Sequence, residues 1–368
     1  MRKILVYFFR NHLIMIKLKS LPAHDGDCFI IQYGEEEKSS NILVDGGRGQ
    51  QVVKQLLSET QIISNKRENI DLLVLTHIDA DHIQGLLKLF SFSSFNKDYI
   101  KKVLFNSRTL LSQKFDTRVV KDEQLEIVQA KDIISFKQGE SFEDYLADLN
   151  IGKMEIVDSY SNPIEINNAV ITIVTPDEES LRKLYVNWDK EFQNEEIDKP
   201  ISGMNTDYDI DLGDIIENKF QEDRAIVNGS SISFILEYND KRILMLADAH
   251  PSAVKYKIEE LYGKDEVSFD LVKISHHGSK ANTSDELLAH INCEKYLISS
   301  NRGNRHGFPH KEALSRIVYN NYSKKRKTVF YLNYPKILDG VFTEKEIEKY
   351  DINIIEKEND ERVLTICL

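Results

Sequence analysis

The segment that most constrains the fold is DLLVLTHIDADHIQGLLKLF, residues 71–90, in which an apolar run ends in a cluster of metal-binding side chains. DLLVLT has the length and composition of a buried strand, and IQGLLKLF has the spacing of a helix. Between them, within six residues, lie His77, Asp79, Asp81 and His82. Because rigid folds present reactive groups on loops at strand ends, this loop is a candidate functional site.

The residue types in this loop favour a metal site. Alternate residues of an extended segment point to the same side, so His77, Asp79 and Asp81 can converge, while His82 begins the following turn. Imidazole together with carboxylate suits zinc, manganese or iron, and a larger share of carboxylates favours harder ions. The simpler alternative is a polar turn in which Asp81 caps the following helix. Four ligand-type side chains in so short a segment favour the metal site over this alternative.

Three other strand-like runs end in residues of the same kind. LMLADAH places Asp248 at the end of an apolar run, VKISHHGSK does the same for His276 and His277, and LVDGG ends in Asp45. A lone Asp after a strand is more often a turn residue or a cap, and Asp-Gly is a common turn signal. The adjacent histidines before Gly-Ser are a rarer pattern, although one of them alone would fit the core equally well.

The two halves of the chain repeat one order of predicted elements. In the first half, IKLKSL, CFIIQY and NILVDGG read as short strands, and a helical pattern follows from Gln50. In the second half, SISFILEY and KRILMLADAH are expected to pair as a hairpin, and further strands and helices follow. Two strand-rich halves, each with helices, predict an α+β fold in which two mixed β-sheets pack as a sandwich flanked by helices.

We expect a single domain over residues 15–368, preceded by an extension over residues 1–14, with Met15 as an alternative start. Within the domain we expect a variable region at about 91–165 and an acidic insertion at about 177–227, because this acidic stretch exceeds an ordinary connection.

The charge of the chain limits its partners. The formal net charge is −12, which argues against a broad nucleic-acid-binding surface. A polyanionic substrate would then need metal ions or a local basic rim around the site. The residues predicted to form such a rim are Lys273, Lys280, Arg302, Arg305 and Lys311.

The cellular location is predicted from cysteines and apolar segments. The chain has three cysteines, an odd number spread far apart, which fits a reducing compartment rather than a disulfide framework. Arg10 and His12 interrupt the N-terminal apolar run, and no segment approaches the length of a membrane span. We therefore expect a cytoplasmic protein without membrane partners.

The order of the motifs resembles that of the metallo-β-lactamase superfamily. The resemblance is carried by Asp45-Gly-Gly, by the HxDxDH segment from His77 to His82, by Asp248, and by SHHGS around His276. HxDxDH and SHHGS, with HDGDC near the N-terminus, are similar to the hydrolase domain of ComEC-type DNA-uptake proteins and to stand-alone bacterial relatives. Some of those relatives accompany antiphage defence systems. The resemblance implies a four-layer αββα sandwich and a metal-dependent hydrolase.

The resemblance also implies a set of site residues. Two adjacent divalent ions are implied, Zn²⁺ or Mn²⁺, with Mg²⁺ as an alternative. Their implied ligands are His77 and Asp79 for one ion, Asp81, His82 and His276 for the other, and Asp248 as the bridge. The implied catalytic residues are Asp81, Asp248 and His277. The residues implied to support the ligands or to face the substrate are Asp27, Asp45, Asn228, His306 and His310.

The chain departs from the superfamily pattern at several positions. Most members have His where Asp79 stands, and Asn228 is the nearest substitute for another missing His. His24 replaces a usual Gly, and Phe308 precedes Pro309 where relatives tend to have His. The first ion site is therefore poorer in nitrogen ligands, which favours Mn²⁺ or Mg²⁺ there.

Two adjacent divalent ions activate water and suit the hydrolysis of a phosphodiester, an ester or an amide. No nucleophile elbow, P-loop or dinucleotide-binding motif is present. Carboxylate-rich ligation favours ions that neutralise phosphate, so we expect a nuclease or phosphodiesterase that acts on nucleic acid or on a small phosphodiester. The alternatives are a hydrolase of a small signalling molecule such as a cyclic nucleotide, and a non-catalytic or partner-activated component of a defence system.

Overall fold

A computed structural model describes the chain over residues 15–35, 38–115, 130–149, 154–188, 206–302, 307–357 and 362–368. The expected N-terminal extension, as well as Arg305 and His306, lie outside these residues.

The first β-sheet combines antiparallel and parallel strands. Its six strands are β1 (Met15–Ser20), β2 (Phe29–Glu35), β3 (Lys38–Val44), β4 (Leu72–Val74), β5 (Val103–Leu104) and β16 (Leu364–Cys367). Their spatial order is β16-β1-β2-β3-β4-β5. Strands β16, β1, β2 and β3 pair antiparallel with their neighbours in this order, whereas β3, β4 and β5 pair parallel.

The second β-sheet follows the same scheme. Its eight strands are β6 (Ile164–Ile166), β7 (Ala169–Thr175), β8 (Ser233–Tyr238), β9 (Lys241–Met245), β11 (Leu271–Lys273), β13 (Lys295–Ile298), β14 (Thr328–Leu332) and β15 (Ile352–Glu356). The order is β15-β14-β13-β11-β9-β8-β7-β6, parallel from β15 to β9 and antiparallel from β9 to β6. Two short strands, β10 (Val267–Ser268) and β12 (Ile291–Asn292), pair separately.

The expected hairpin is confirmed, since β8 and β9 pair in register through a two-residue turn. Asn239 and Asp240 form this turn with φ of 47° and 63°. Both angles are positive, as the twist of a tight hairpin requires, and Asn and Asp tolerate them better than most residues do.

The described helices flank the sheets. They are α1 (Gln50–Asn65), α2 (Ala80–Phe90), α3 (Arg108–Lys114), α4 (Ala130–Ala147), α5 (Glu178–Trp188), α6 (Leu212–Ile215), α7 (Ile226–Gly229), α8 (Pro251–Tyr262), α9 (Asp285–Leu288), α10 (Lys311–Ser323) and α11 (Glu344–Tyr350). In α5, at the start of the acidic stretch, Trp188 is fully buried and stacks on Phe136 of α4 with ring centroids 5.3 Å apart.

Three apolar layers separate the sheets and helices. Phe29 and Phe234 belong to the layer between the two sheets. Ile30, the next residue along β2, points the other way and packs with the helices that cover the first sheet. Ile235 of β8 does the same on the second sheet, where α8 and α10 contribute to the outer layer. The order helix, sheet, sheet, helix confirms the predicted αββα sandwich.

The candidate site lies where the parallel strands of both sheets end. Asp45 follows β3 and His77 follows β4, whereas Asp248 follows β9 and His277 follows β11. Crevices at the carboxyl ends of parallel strands are where α/β proteins bind ligands. None of the helices in the described part of the chain combines the length and the apolar composition needed to cross a bilayer. All three cysteines are free.

Candidate metal centre

The loop after β4 turns directly into α2. The helix begins at Ala80, so Asp79 rather than Asp81 occupies the N-cap position, and its side chain makes no capping hydrogen bond. Asp81 lies in the first helical turn. The alternative in which Asp81 caps the helix is therefore wrong, because the helix starts before it. Asp79 is held instead by Ser135 of α4, whose hydroxyl donates to Oδ1 at 2.9 Å.

Four imidazole rings converge on one carboxylate oxygen. The Nε2 atoms of His77, His82, His276 and His277 lie 3.8, 3.6, 3.7 and 3.7 Å from Asp248 Oδ2. The first two histidines come from the first half of the chain and the other two from the second. Asp248 therefore stands at the middle of the cluster, the position that the resemblance implied for a bridge.

Hydrogen bonds determine which ring nitrogen faces Asp248 in the first pair. His82 Nδ1 lies 2.8 Å from Asp45 Oδ2, a carboxylate oxygen that accepts, so Nδ1 donates. The Thr76 hydroxyl donates its one proton to Asp45 Oδ2 at 2.7 Å and thus accepts from His77 Nδ1 at 3.1 Å. Both rings therefore carry their proton on Nδ1 and turn a bare Nε2 toward Asp248.

The second pair is oriented in the same way. His277 Nδ1 donates to the carbonyl oxygen of Ser299 at 2.9 Å. His276 Nδ1 lies 2.9 Å from Asn282 Oδ1, and the amide nitrogen of Asn282 donates to Asp223 Oδ2 at 3.2 Å, which fixes the amide orientation. In the neutral form that metal binding requires, all four rings thus direct an Nε2 lone pair into the centre.

This arrangement fits a bound cation. The Nε2 atoms of His77, His82 and His277 are buried and have no hydrogen-bond partner, and neither has Asp248 Oδ1. Separations of 3.6 to 3.8 Å from Asp248 Oδ2 are too long for hydrogen bonds. They match two ligands of one ion, since zinc bonds nitrogen and oxygen at about 2.0–2.2 Å. A divalent ion is therefore the group that these residues fit.

The carboxylates of the loop complete the donor set. Asp81 Oδ2 lies 3.4 Å from His277 Nε2, and Asp79 Oδ2 lies 3.9 Å from His77 Nε2. In each of the following two groups of three residues, the potential ligand atoms lie within 4.8 Å of one another. The first group is His77, His82 and Asp248, and the second is Asp81, His82 and His277.

The histidine that lies beside Asp81 is not the one that the resemblance implied. The geometry groups Asp81 with His277, whereas the resemblance grouped Asp81 with His276. Both histidines adopt left-handed backbone angles, with φ of 45° and 56°, in the turn that follows β11. This turn buries the His277 ring beside Asp81 and leaves His276 with 22% of its side chain exposed.

The electrostatics of the centre favour positive charge. Burial, together with the neighbouring His82, lowers the pKa of His77 to about 3, so this ring is a neutral ligand. Burial also lowers the pKa of His277, but the carboxylates of Asp248 and Asp27 outweigh it and raise this pKa to about 10. Burial raises the pKa of Asp248, yet the surrounding histidines hold it well below its usual range. A carboxylate that stays ionised in a buried site requires a cation beside it.

A buried ion pair lies beside the Nδ1 atom of His277. Lys273, at the end of β11, is fully buried and pairs with Asp27. Asp27 Oδ1 also lies 3.4 Å from His277 Nδ1. Burial raises the pKa of Asp27, but Lys273 and His277 outweigh it and lower this pKa to about 2.

The prediction of a basic rim is wrong for Lys273 and Lys311. Lys273 is buried against Asp27, and Lys311 is buried beside Glu346, with Nζ 3.0 Å from Oε1. Lys280 is half exposed and 3.8 Å from Glu312, while Arg302 donates to the Asp339 carbonyl oxygen at 2.7 Å. Sequence neighbours of a site become a rim only if they face solvent, and strand residues face the core on alternate positions.

Two further predicted residues lie beside the centre. Asn228, on α7, is buried, and its amide nitrogen lies 3.5 Å from His276 Nδ1. The backbone N–H of Lys280 donates to His310 Nδ1 at 3.2 Å, and the Phe308 ring lies between His276 and His310 with centroids 4.8 and 5.1 Å away.

Asp223 was not among the site residues predicted from the sequence. Its Oδ2 accepts from Asn228 Nδ2 at 2.7 Å and lies 3.5 Å from His276 Nδ1. Burial raises the pKa of Asp223, but the hydrogen bond from His276 outweighs it and lowers the pKa. Asp223 sits in an acidic stretch with no apolar run before it, so no local signal separates it from its neighbours.

Comparison with known proteins gives one family match and one curated relative. Residues 21–149 match the family model of the metallo-beta-lactamase superfamily. Recombination protein 2 of Haemophilus influenzae is 29% identical over 90 residues, which are 24% of this chain and 11% of that protein. The chain thus spans about a tenth of the length of this curated relative.

Two solved structures show distant likeness. The metallo-beta-lactamase fold protein YhfI from Bacillus subtilis aligns over 96% of this chain and 99% of its own, with 9% identity and a TM-score of 0.39. Zn²⁺-bound PqqB from Methylobacterium extorquens aligns over 92% and 86%, with 12% identity and a TM-score of 0.37. Residues 21–149 are thus similar to the metallo-beta-lactamase superfamily, and the αββα sandwich with its His and Asp cluster is consistent with that likeness.

Proposed function

We propose that the protein is a metal-dependent phosphodiesterase, and more specifically a nuclease, with a dinuclear centre. The observation that carries the proposal is the convergence of four Nε2 atoms on Asp248 Oδ2 at 3.6 to 3.8 Å. One ion would be held by His77 and Asp79, and the other by Asp81, His82 and His277, with Asp248 shared. Two divalent ions supply Lewis-acid activation of water and neutralise phosphate charge.

The chain's own residues would orient the reaction. Asp45 and Thr76 hold the rings of His82 and His77 by their Nδ1 atoms. Asp248 Oδ1, buried and without a hydrogen-bond partner, is placed to accept a proton from the attacking water. His276, partly exposed and oriented by Asn282, faces the open side of the centre, where a leaving group would depart.

A phosphodiester is the preferred substrate bond for two reasons. Carboxylates provide much of the donor set, which favours oxygen-seeking ions such as Mn²⁺ or Mg²⁺. The likeness to Recombination protein 2 also favours a nucleic-acid substrate, although it covers only 24% of this chain.

A small phosphodiester, such as a cyclic nucleotide, is the second candidate. It is favoured by the burial of Lys273 and Lys311, which leaves little basic surface beside the centre for a long polyanion. The chain's net charge of −12 acts in the same direction.

The test is cleavage of labelled single- and double-stranded DNA and RNA, and of bis(p-nitrophenyl) phosphate, with Mn²⁺, Mg²⁺ or Zn²⁺. Asp81→Asn and His276→Ala should each lower turnover at least about 100-fold while the circular dichroism spectrum stays unchanged. Asp144→Asn, an exposed carboxylate on α4, is the matched control and should keep full activity. Full activity in either site variant contradicts the proposal.

A further inference from the structure

A cavity of about 300 Å³ lies next to the metal centre, and the reaction described above does not use it. Its walls come from the start of α5, from the segment that leads into α7, and from the first turn of α8. Small-molecule sites begin at about this volume, so the cavity has room for one compact group rather than for a long chain.

One Asp-His pair separates this cavity from the centre. Asp223 lines the cavity, and its Oδ2 lies 3.5 Å from His276 Nδ1. On its other side, His276 Nε2 lies 3.7 Å from Asp248 Oδ2. The side chains of Asp223 and His276 are 13% and 22% exposed, so both contribute to the accessible surface. The cavity and the centre are therefore separated by these two side chains alone along this line of contacts.

The lining disfavours a phosphate and favours an uncharged polar group. Four carboxylates line the cavity against two cationic side chains, and an acidic excess repels phosphate. The carboxylates are Asp177, Glu179, Glu222 and Asp223, and the cations are Lys183 and Arg224. His250, also in the lining, has a buried Nε2 with no hydrogen-bond partner. Hydrogen-bonding capacity without net positive charge suits a planar ring that carries N–H donors and nitrogen acceptors.

Two exposed tyrosines stand beside the cavity. Tyr256 lies one helical turn after the cavity residue Ser252 on α8, and 63% of it is exposed. Tyr160 is also 63% exposed, and Lys257 Nζ lies 5.3 Å from its ring centroid. The charges of Tyr256 and of Asp177, which lines the cavity, both raise the pKa of Tyr160. Exposed aromatic rings beside a phosphate-cleaving centre are the usual stacking surface for bases of single strands.

We propose that this cavity, with Tyr160 and Tyr256 at its mouth, binds a nucleobase of the phosphodiester substrate beside the bond that is cleaved. The inference rests on the proposed function, because the phosphate has to lie at the metal centre for the base to reach the cavity. The base stacks on the tyrosines and hydrogen-bonds to His250 and to the lining carboxylates, and the ions bind the phosphate.

Calorimetry of the metal-loaded protein tests the base site directly. Adenosine 5′-monophosphate and ribose 5-phosphate carry the same phosphate and sugar, and only the first has a base. We expect the first to bind about tenfold more tightly, a difference of about 1.4 kcal/mol that comes from stacking of the base. Tyr256→Ala and Tyr160→Ala should each reduce this ratio severalfold, whereas Tyr256→Phe should retain it.

Tyr319→Ala is the matched control, because Tyr319 is 46% exposed on α10, an element that does not line the cavity. Equal affinities for the two ligands in the unaltered protein overturn the inference, and so does an undiminished ratio in both alanine variants. Failure of the proposed function gives a different result, namely no metal-dependent hydrolysis of bis(p-nitrophenyl) phosphate, which has no base. Turnover of a dinucleotide compared with 3′,5′-cyclic adenosine monophosphate then distinguishes a strand from a small diester as the source of the base.

Discussion

Single residues behind the histidines determine which ring nitrogen faces the centre. Asp45 accepts from His82 Nδ1, and the Thr76 hydroxyl, itself committed to Asp45, accepts from His77 Nδ1. One buried carboxylate therefore sets the tautomer of two rings. Partners of this kind raise the basicity of a ligand and hold its orientation.

Replacement of Asp45 by Asn should weaken metal binding without unfolding the protein. Asp45 Oδ2 accepts from the Thr76 hydroxyl and His82 Nδ1, while Oδ1 accepts from the Thr76 backbone N–H. An amide has only one oxygen, so its NH₂ group would oppose a donor on one of these two sides and disturb the orientation of both rings. We expect metal affinity to fall about 10- to 100-fold, measured by competition with a chromophoric chelator.

Asp270→Asn is the control for this substitution. Its carboxylate accepts from Arg242 N and from Lys241 Nζ at the opposite ends of the strands, so it orients no ligand. An Asp45→Asn protein that binds metal as tightly as the unaltered protein would show that Asp45 does not orient the histidines.

At the scale of elements, the position of α2 depends on a close approach of backbone to backbone. Gly85 N donates to Gly47 O at 2.8 Å, and Gly46 N donates to His82 O at 2.8 Å. A Cβ on Gly85 would lie 1.8 Å from the carbonyl oxygen of Gly46. The helix that carries Asp81 and His82 therefore rests directly on the loop that carries Asp45.

Gly85→Ala should consequently damage both stability and metal binding. The added methyl group has to push α2 away from the loop, and such overpacking costs about 1–3 kcal/mol of unfolding free energy. Denaturant unfolding measures this loss, and a metal titration measures the displacement of His82. Gly213→Ala in α6 is the control, since its Cβ would meet Asp211 Oδ1 at 3.3 Å and no backbone. Equal stability of the two variants would contradict this account of the contact.

At the scale of the whole molecule, the metal should contribute to stability because the centre joins groups from both sheets. A ligand at about 100 times its Kd stabilises a folded protein by about 2.7 kcal/mol. Treatment with EDTA should lower the melting temperature by several degrees, and addition of Mn²⁺ or Zn²⁺ should restore it. Asp248→Ala should remove this metal-dependent shift, whereas Asp144→Ala should keep it. A melting temperature insensitive to EDTA and to added metal would contradict a bound ion.

The sequence predicted the architecture and the composition of the centre more fully than its detailed geometry. Apolar periodicity is local, so the strands that end at Asp45, His77 and Asp248 could be recognised from the runs before them. The orientation of His276 and His277 could not be predicted, because it depends on two left-handed residues in a turn. The burial of Lys273 depends on Asp27, which is distant in sequence, and no local pattern indicates such a pairing.

The distribution of the histidines over both sheets has a consequence for folding. His77 and His82 belong to the half of the chain that forms the first sheet, and Asp248 and His277 belong to the half that forms the second. An ion held by all of them would act as a clasp between two layers that share an extensive apolar face. The clasp closes only after the layers have docked, so metal uptake would mark the last step of maturation, and metal release the first step of their separation.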